Sequence, residues 1–370
     1  MSIPVIRFNT EDRPEFFKEV RSKVNQYFKE NNISKHANGG MVFKTVFMLN
    51  LYFIPLILML TGVVTSLWPV MLMWVLMGFG MAGIGMSVMH DANHGSYSKN
   101  RYVNKVLGFM INFLGGYHIN WKIQHNVLHH SFTNVEDYDE DIKIGLMRFS
   151  PNQKRYGIYR FQIFYAPFLY GLMSAYWLVS KDFQGLIRYH KKDLLKGQGL
   201  TLTSGITHAA INKIWYLGLT LALPMIIVPL AWWQIFIGFF IMLFICSIIL
   251  SFIFQVAHVI NETEFYVANE NGSVENNWAI HQMNTTANFA DRSMILSWFI
   301  GGLNYQIEHH LFPNICHVHY KKISKIVKET ADEFKIPYLQ HKSYFTALRS
   351  HLSLLNALGT GKYDEMMAKT

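Results

Sequence analysis

The chain has 370 residues, of which 51% are hydrophobic and only 15% charged, with a formal net charge of +9 and a mean hydropathy of +0.14. This balance excludes an ordinary soluble domain, and the basic excess is too diffuse, without a basic and aromatic ladder, for a nucleic-acid binder. It suits a surface resting on anionic lipid headgroups or meeting an acidic redox partner.

Residues 1–44 mix charges with isolated aromatics, and residues 15–31 have helical spacing with Phe16, Val20, Val24, Tyr27 and Phe28 toward one side. No short apolar segment followed by a small-residue cleavage site stands there, so no cleaved signal peptide is expected. Residues 45–89 contain no Lys, Arg, Asp or Glu, and neither do residues 214–258. Each window holds two crossings of a hydrocarbon core roughly 30 Å thick, at about 20 residues per helix. The expected fold is all-α and integral to the membrane, with four transmembrane helices in two hairpins: residues 47–64 with 70–89, and 214–228 with 235–257. All 33 Lys and Arg lie outside the windows, so everything beyond the hairpins, both termini included, is expected to face the cytoplasm. Cys246 and Cys316 are expected as free thiols.

The second helix runs into His90-Asp91-Ala92-Asn93-His94. Residues 106–120 are apolar but short and glycine-interrupted, and are expected in the interface. A full crossing there would put the next cluster on the other side of the membrane. That cluster is His125-Asn126-Val127-Leu128-His129-His130. On a helix, His125 and His129 share a face and His130 is turned about 100° from His129, so two ring directions serve two neighbouring metals. Just beyond it, Asn134, Asp137 and Asp139 are candidates to fix ring orientation by hydrogen bonding, a class to which Asp91, Gln255 and Glu308 are also assigned.

Residues 161–180 are uncharged and broken by Pro167 and Gly171. They are expected to lie along or dip into the membrane, because an even number of crossings must separate His130 from His258. His258 leaves the membrane on the side of the clusters, as a further ligand. Gln306-Ile307-Glu308-His309-His310 follows, then a basic tail with nine Lys or Arg from residue 320 onward. The expected division is an N-terminal cytoplasmic segment (1–44), a membrane domain carrying the clusters (45–320) and a C-terminal helical tail (321–370), the cytoplasmic parts forming a helical cap.

Imidazole is a common ligand for iron, zinc, copper and nickel. His90, His94, His125, His129, His130, His258, His309 and His310, with Gln306, are enough for two metals at four or five ligands each. A structural zinc site needs about four ligands, often cysteines. A redox-active pair beside an apolar body suits dioxygen activation and attack on a hydrocarbon chain, although zinc or copper satisfies the same ligands.

The three clusters, in this order and interleaved with two apolar windows, resemble the membrane fatty acid desaturase family. The surroundings strengthen the resemblance: Thr133-Asn134, Asp139, and the run from Gly302 through Tyr305-Gln306 to Leu311-Phe312-Pro313. Glutamine in place of the first histidine of the third box is similar to the front-end branch, which places double bonds between an existing one and the carboxyl end. The resemblance implies two iron ions, dioxygen as co-substrate and a bent tunnel for the acyl chain of an acyl-CoA or acyl-lipid. It also implies the ligands His90, His94, His125, His129, His130, His309 and His310, with His258 and Gln306 beside them. Trp278, Gln282 and Asn304 are candidates for contact with the substrate. Residues 1–44 lack the heme motif of the fused cytochrome b5 domain that many front-end relatives carry. Electrons are therefore expected from a separate ferredoxin, or from cytochrome b5 with its reductase. A sphingolipid desaturase or acyl hydroxylase on the same scaffold is an alternative, as is, from another class, a metal transporter or heme electron carrier. A transporter calls for ionisable residues in mid-membrane, which the two windows lack.

Overall fold

The computed structural model describes residues 6–143 and 145–367. Two compact units alternate along the chain: one is built from Ala37–Ile123 and Phe168–Ser251, the other from Pro4–His36, Gln124–Pro167 and Phe252–Thr370. Among the described residues, four helices are long and apolar enough to cross a membrane: Gly39–Leu60, Leu67–Asn93, Leu202–Ile227 and Trp232–His258.

In the first unit, Gly39–Leu60 and Leu67–Gly83 pack closely where glycine permits it. A Cβ on Gly80 would stand 2.7 Å from the backbone nitrogen of Tyr52, so the small residue sets the helix separation. Leu67–Gly83 continues through a widened π-helical turn, Ile84–Met89, into His90–Asn93. Arg101–Gly108 and the tight turn Phe109–Leu114 follow, a stretch too short to cross. The segment expected along the membrane is two helices, Gly157–Gly171 and Met173–Lys191, bent by 61° at the break between them.

The third long helix begins at Leu202, well ahead of the charge-free window, and so carries Lys213 inside it. Its ammonium is buried because it donates to the Asp182 carboxylate and to the Gly115 carbonyl. Asp182 also accepts from Asn120 Nδ2 at 3.1 Å and from Trp177 Nε1 at 2.8 Å. An internally neutralised pair lets the helix extend past a charge that a composition window treats as its limit. The same group anchors the Gly115–Gly116 turn, since Asn212 Nδ2 donates to the Gly116 carbonyl at 2.8 Å.

The second unit is organised around the third histidine box. Phe16, Val20 and Val24, four residues apart, form the buried face of Pro14–Glu30. They pack with Ile323, Val327 and Ala331 of Tyr320–Glu333 and with Ile307 and Leu311 of Gln306–Leu311. The N-terminal helix is thus a packing element. Two short parallel pairs join distant segments: Arg7–Phe8 with Ser273–Val274, and Asn288–Phe289 with Gln340–His341. Both cysteines are buried thiols outside any disulfide.

Replacing Lys213 with Met leaves the Asp182 carboxylate buried without its cation, at an expected cost of about 3–5 kcal/mol. Thermal unfolding of the solubilised protein should show this loss, and adding Asp182→Leu should recover part of it.

Candidate metal centre

His125, His129 and His130 lie on a π-helical turn, Lys122–His129, that passes into His130–Phe132. An ordinary helix would align His125 with His129. Hydrogen bonding to the fifth residue instead widens the turn and brings His125 beside His130, their Nε2 atoms 3.2 Å apart. His130 Nε2 is also 3.0 Å from His309 Nε2. His129 is released in another direction, where its ligand nitrogen lies within 4.8 Å of those of His258 and His310. His125 thus stands with His130 and His309, and His129 with His258 and His310, while His310 is also within reach of His130 and His309.

The fit to metal rests on the far nitrogens. His129 Nδ1 is 3.1 Å from Asp139 Oδ2, His258 Nδ1 is 3.1 Å from the Thr285 carbonyl, and His310 Nδ1 is 2.7 Å from Gln282 Oε1. Each partner oxygen is an acceptor, so Nδ1 carries the proton and Nε2 keeps its lone pair. The Nε2 atoms of His129, His258 and His310 are buried and make no hydrogen bond. Three desolvated lone pairs converging on one point are costly unless a cation meets them. Two imidazole nitrogens bound at right angles to one ion, each about 2.1 Å from it, stand about 3.0 Å apart, close to the His130–His309 spacing. The residues fit a metal site.

Asp139 is held as an anion. Burial opposes its charge, but His129 beside it and the backbone N–H groups of Asn134 and Asp141 prevail, and its pKa falls below the usual carboxylate value. Burial likewise opposes protonation of His129, yet Asp139 outweighs it and raises the histidine's pKa. At His310, burial and then the surrounding imidazoles push the pKa well below the ordinary value, which keeps the ring neutral. Burial pushes the Glu308 carboxyl up to about 7 against hydrogen bonds from Asn288 and Tyr338.

The remaining candidates take varied places. His90 and His94, in the first unit, have ring centroids 4.8 Å apart, and Trp121 faces both rings edge-on at 5.7 and 5.9 Å. The buried Asp91 places Oδ1 3.8 Å from His90 Nδ1. Asn134 braces the backbone: its side chain donates to the carbonyls of His258 and Glu264 at 2.8 and 3.1 Å. Asp137 instead turns outward at a backbone φ of 67° and pairs with Lys143, its side chain 71% exposed. Gln255 is buried one turn before His258. Glu308 bonds to Asn288 and Tyr338, at 2.8 and 2.9 Å, rather than to a ring. Gln306 stands beside His258, and neither of its amide atoms makes a hydrogen bond at ordinary distance.

Of the three residues read as substrate contacts, Trp278 and Gln282 direct their polar atoms at the cluster. Both donate to the His130 carbonyl at 3.2 Å. Asn304 is fully buried, with Nδ2 3.4 Å from the Ala290 carbonyl. Sequence reasoning did not assign roles to Thr285, Asn288, Tyr320 and Tyr338. Thr285 acts through its backbone carbonyl, which no residue type signals, and Tyr320 places its hydroxyl 3.2 Å from His309 Nδ1.

The family model for fatty acid desaturases matches residues 66–342, which contain all three histidine clusters. The sn-1 linoleoyl-lipid 6-desaturase of Synechocystis sp. is 35% identical over 352 residues, covering 93% of this chain and 95% of the relative. The acyl-lipid (8-3)-desaturase of Physcomitrium patens is 34% identical, covering 95% of this chain and 73% of its own length, and that of Mortierella alpina is 30% identical, with 95% and 79% covered. With the family model matched over most of this chain and imidazoles gathered where they could hold a metal, the chain belongs to the fatty acid desaturase family, as an integral membrane oxidoreductase that desaturates fatty acyl chains.

Proposed function

We propose that the centre holds two irons and uses dioxygen to place a front-end double bond in an acyl chain carried on a lipid. The observation that carries this reading is the convergence of the His129, His258 and His310 Nε2 lone pairs beside the close His125, His130 and His309 set. The acyl-lipid substrate is supported by the names of the relatives from Synechocystis and Physcomitrium patens, and the front-end position by Gln306 at the head of the third box. His90 and His94 join the ligand set by their place in the first box. The distribution of Lys and Arg supports two membrane hairpins with the histidine boxes and both termini on the cytoplasmic side, and electrons come from an external carrier, a ferredoxin or cytochrome b5.

Bound there, iron would supply the dioxygen reduction and hydrogen removal that an unactivated methylene requires. The protein's part is orientation and exclusion of water. Asp139, the Thr285 carbonyl and Gln282 commit the three Nδ1 protons and so aim the rings. Near-complete burial of His129, His258, His309 and His310 keeps bulk water from the centre.

Expression in a host fed defined fatty acids, with lipid-class profiling, tests the reading. The wild type should yield a new double bond toward the carboxyl end and retain two irons per chain by elemental analysis, and His129→Ala should yield no product. A new double bond formed equally by both would overturn the assignment. Asp139→Asn and Gln282→Leu should each weaken iron retention by about 10–100-fold, read as metal remaining after challenge with a chelator, while the helical signal in circular dichroism stays at the wild-type level.

A further inference from the structure

The helix Tyr320–Glu333 has two unlike sides. Tyr320, Ile323, Val327 and Ala331 are buried in the second unit's core. Lys321, Lys322, Lys325 and Lys328 are exposed, and no acid stands among them before Glu329. The inner side reaches the third histidine box at its start, where the Tyr320 hydroxyl lies 3.2 Å from His309 Nδ1. Further along, the Lys328 ammonium stands 5.8 Å from the ring centroid of Tyr338, whose hydroxyl donates to Glu308 Oε1 at 2.9 Å. A body resting on the lysines is therefore separated from His309 by one helix, about 10–12 Å across.

Resting on the di-iron reading above, we infer that this lysine face is the docking surface for an acidic one-electron carrier protein. The reaction needs one. Removing two hydrogens from adjacent methylenes provides two electrons and two protons, whereas reducing dioxygen to two waters consumes four of each. Two electrons must arrive from outside, with two protons from solvent. A cationic patch over the histidine box attracts an anionic carrier and shortens its approach.

An anionic membrane surface is the other occupant that lysines suit, and the same unit shows how a lipid-facing surface would differ. Interfacial helices turn an apolar face outward. The Tyr344–Thr360 helix exposes Phe345 at 77%, and the Gly157–Gly171 helix exposes Phe161 at 51% and Phe164 at 80%. Tyr320–Glu333 directs its apolar residues inward and presents only polar side chains, which favours a protein partner.

The test uses the full chain with Lys321→Glu, Lys322→Glu and Lys325→Glu together, in nanodiscs of zwitterionic lipid and, in parallel, in nanodiscs containing anionic lipid. An acidic ferredoxin and the acidic soluble domain of cytochrome b5, each with its reductase, are compared as sole donors with dithionite plus methyl viologen, a mediator that needs no docking. The variant should raise the KM for whichever carrier drives the wild type by about 10–100-fold. It should keep wild-type iron content and mediator-driven turnover. An unchanged KM for the carrier, an equal loss with both kinds of donor, a wild type driven by the mediator and by neither protein, or a defect seen only in discs with anionic lipid would each overturn the docking surface. A wild type that retains no iron and turns over with no donor would instead overturn the di-iron reading, and this inference with it.

Discussion

The structure depends on the commitment of one proton on each of several buried imidazoles. A neutral histidine in a dry interior can turn either nitrogen toward a cation, and a ligand set is defined only when that choice is removed. Asp139, the Thr285 carbonyl and Gln282 remove it for His129, His258 and His310. The three acceptors differ in chemistry, a carboxylate, a peptide oxygen and an amide. The carboxylate brings negative charge to the centre, and the other two bring direction without charge.

These acceptors are themselves tied together. Thr285 opens an extended strip that reaches several parts of the centre in turn. The Ala287 N–H donates to the Ala257 carbonyl next to His258 at 2.9 Å, the Phe289 N–H donates to the Asn304 carbonyl at 3.0 Å, and the Asn288 N–H donates to the Leu339 carbonyl at 2.9 Å. The Asn288 side chain accepts from the Ile307 N–H at 2.9 Å while donating to Glu308. A few residues of backbone thus hold the end of the last long helix, the third box and the C-terminal segment in register. The buried Glu308 and the half-buried Tyr338 belong to that frame, one step removed from the rings.

The histidine boxes and His258 were readable because their meaning is local, a matter of close spacing and of where an apolar window ends. The four long helices were readable for the same reason, as was the packing face of Phe16, Val20 and Val24. Contacts between distant parts of the chain left no such mark. Glu308 sits among ligands in sequence, yet Tyr338, thirty positions on, claims its carboxylate. Gln282 and Trp278 read as substrate contacts because polar and aromatic residues near a site suit many roles, and only geometry turns them toward His130 and His310. Lys213 marked the end of a window by its charge, and its partner Asp182 could not be inferred from spacing. Alternation of the two units along the chain is likewise a property of contacts, which no single stretch of sequence announces.

The widened turn at Lys122–His129 makes the second box depend on winding as well as on side chains. A π turn is an α-helix with one residue to spare, so winding the same residues as an ordinary helix would turn everything downstream by about 100°. His129 would then stand beside His125 in the place that His130 holds, and His130 would face away from His309. The turn thus acts as a caliper whose opening is set by backbone hydrogen bonds and not by the imidazoles it spaces.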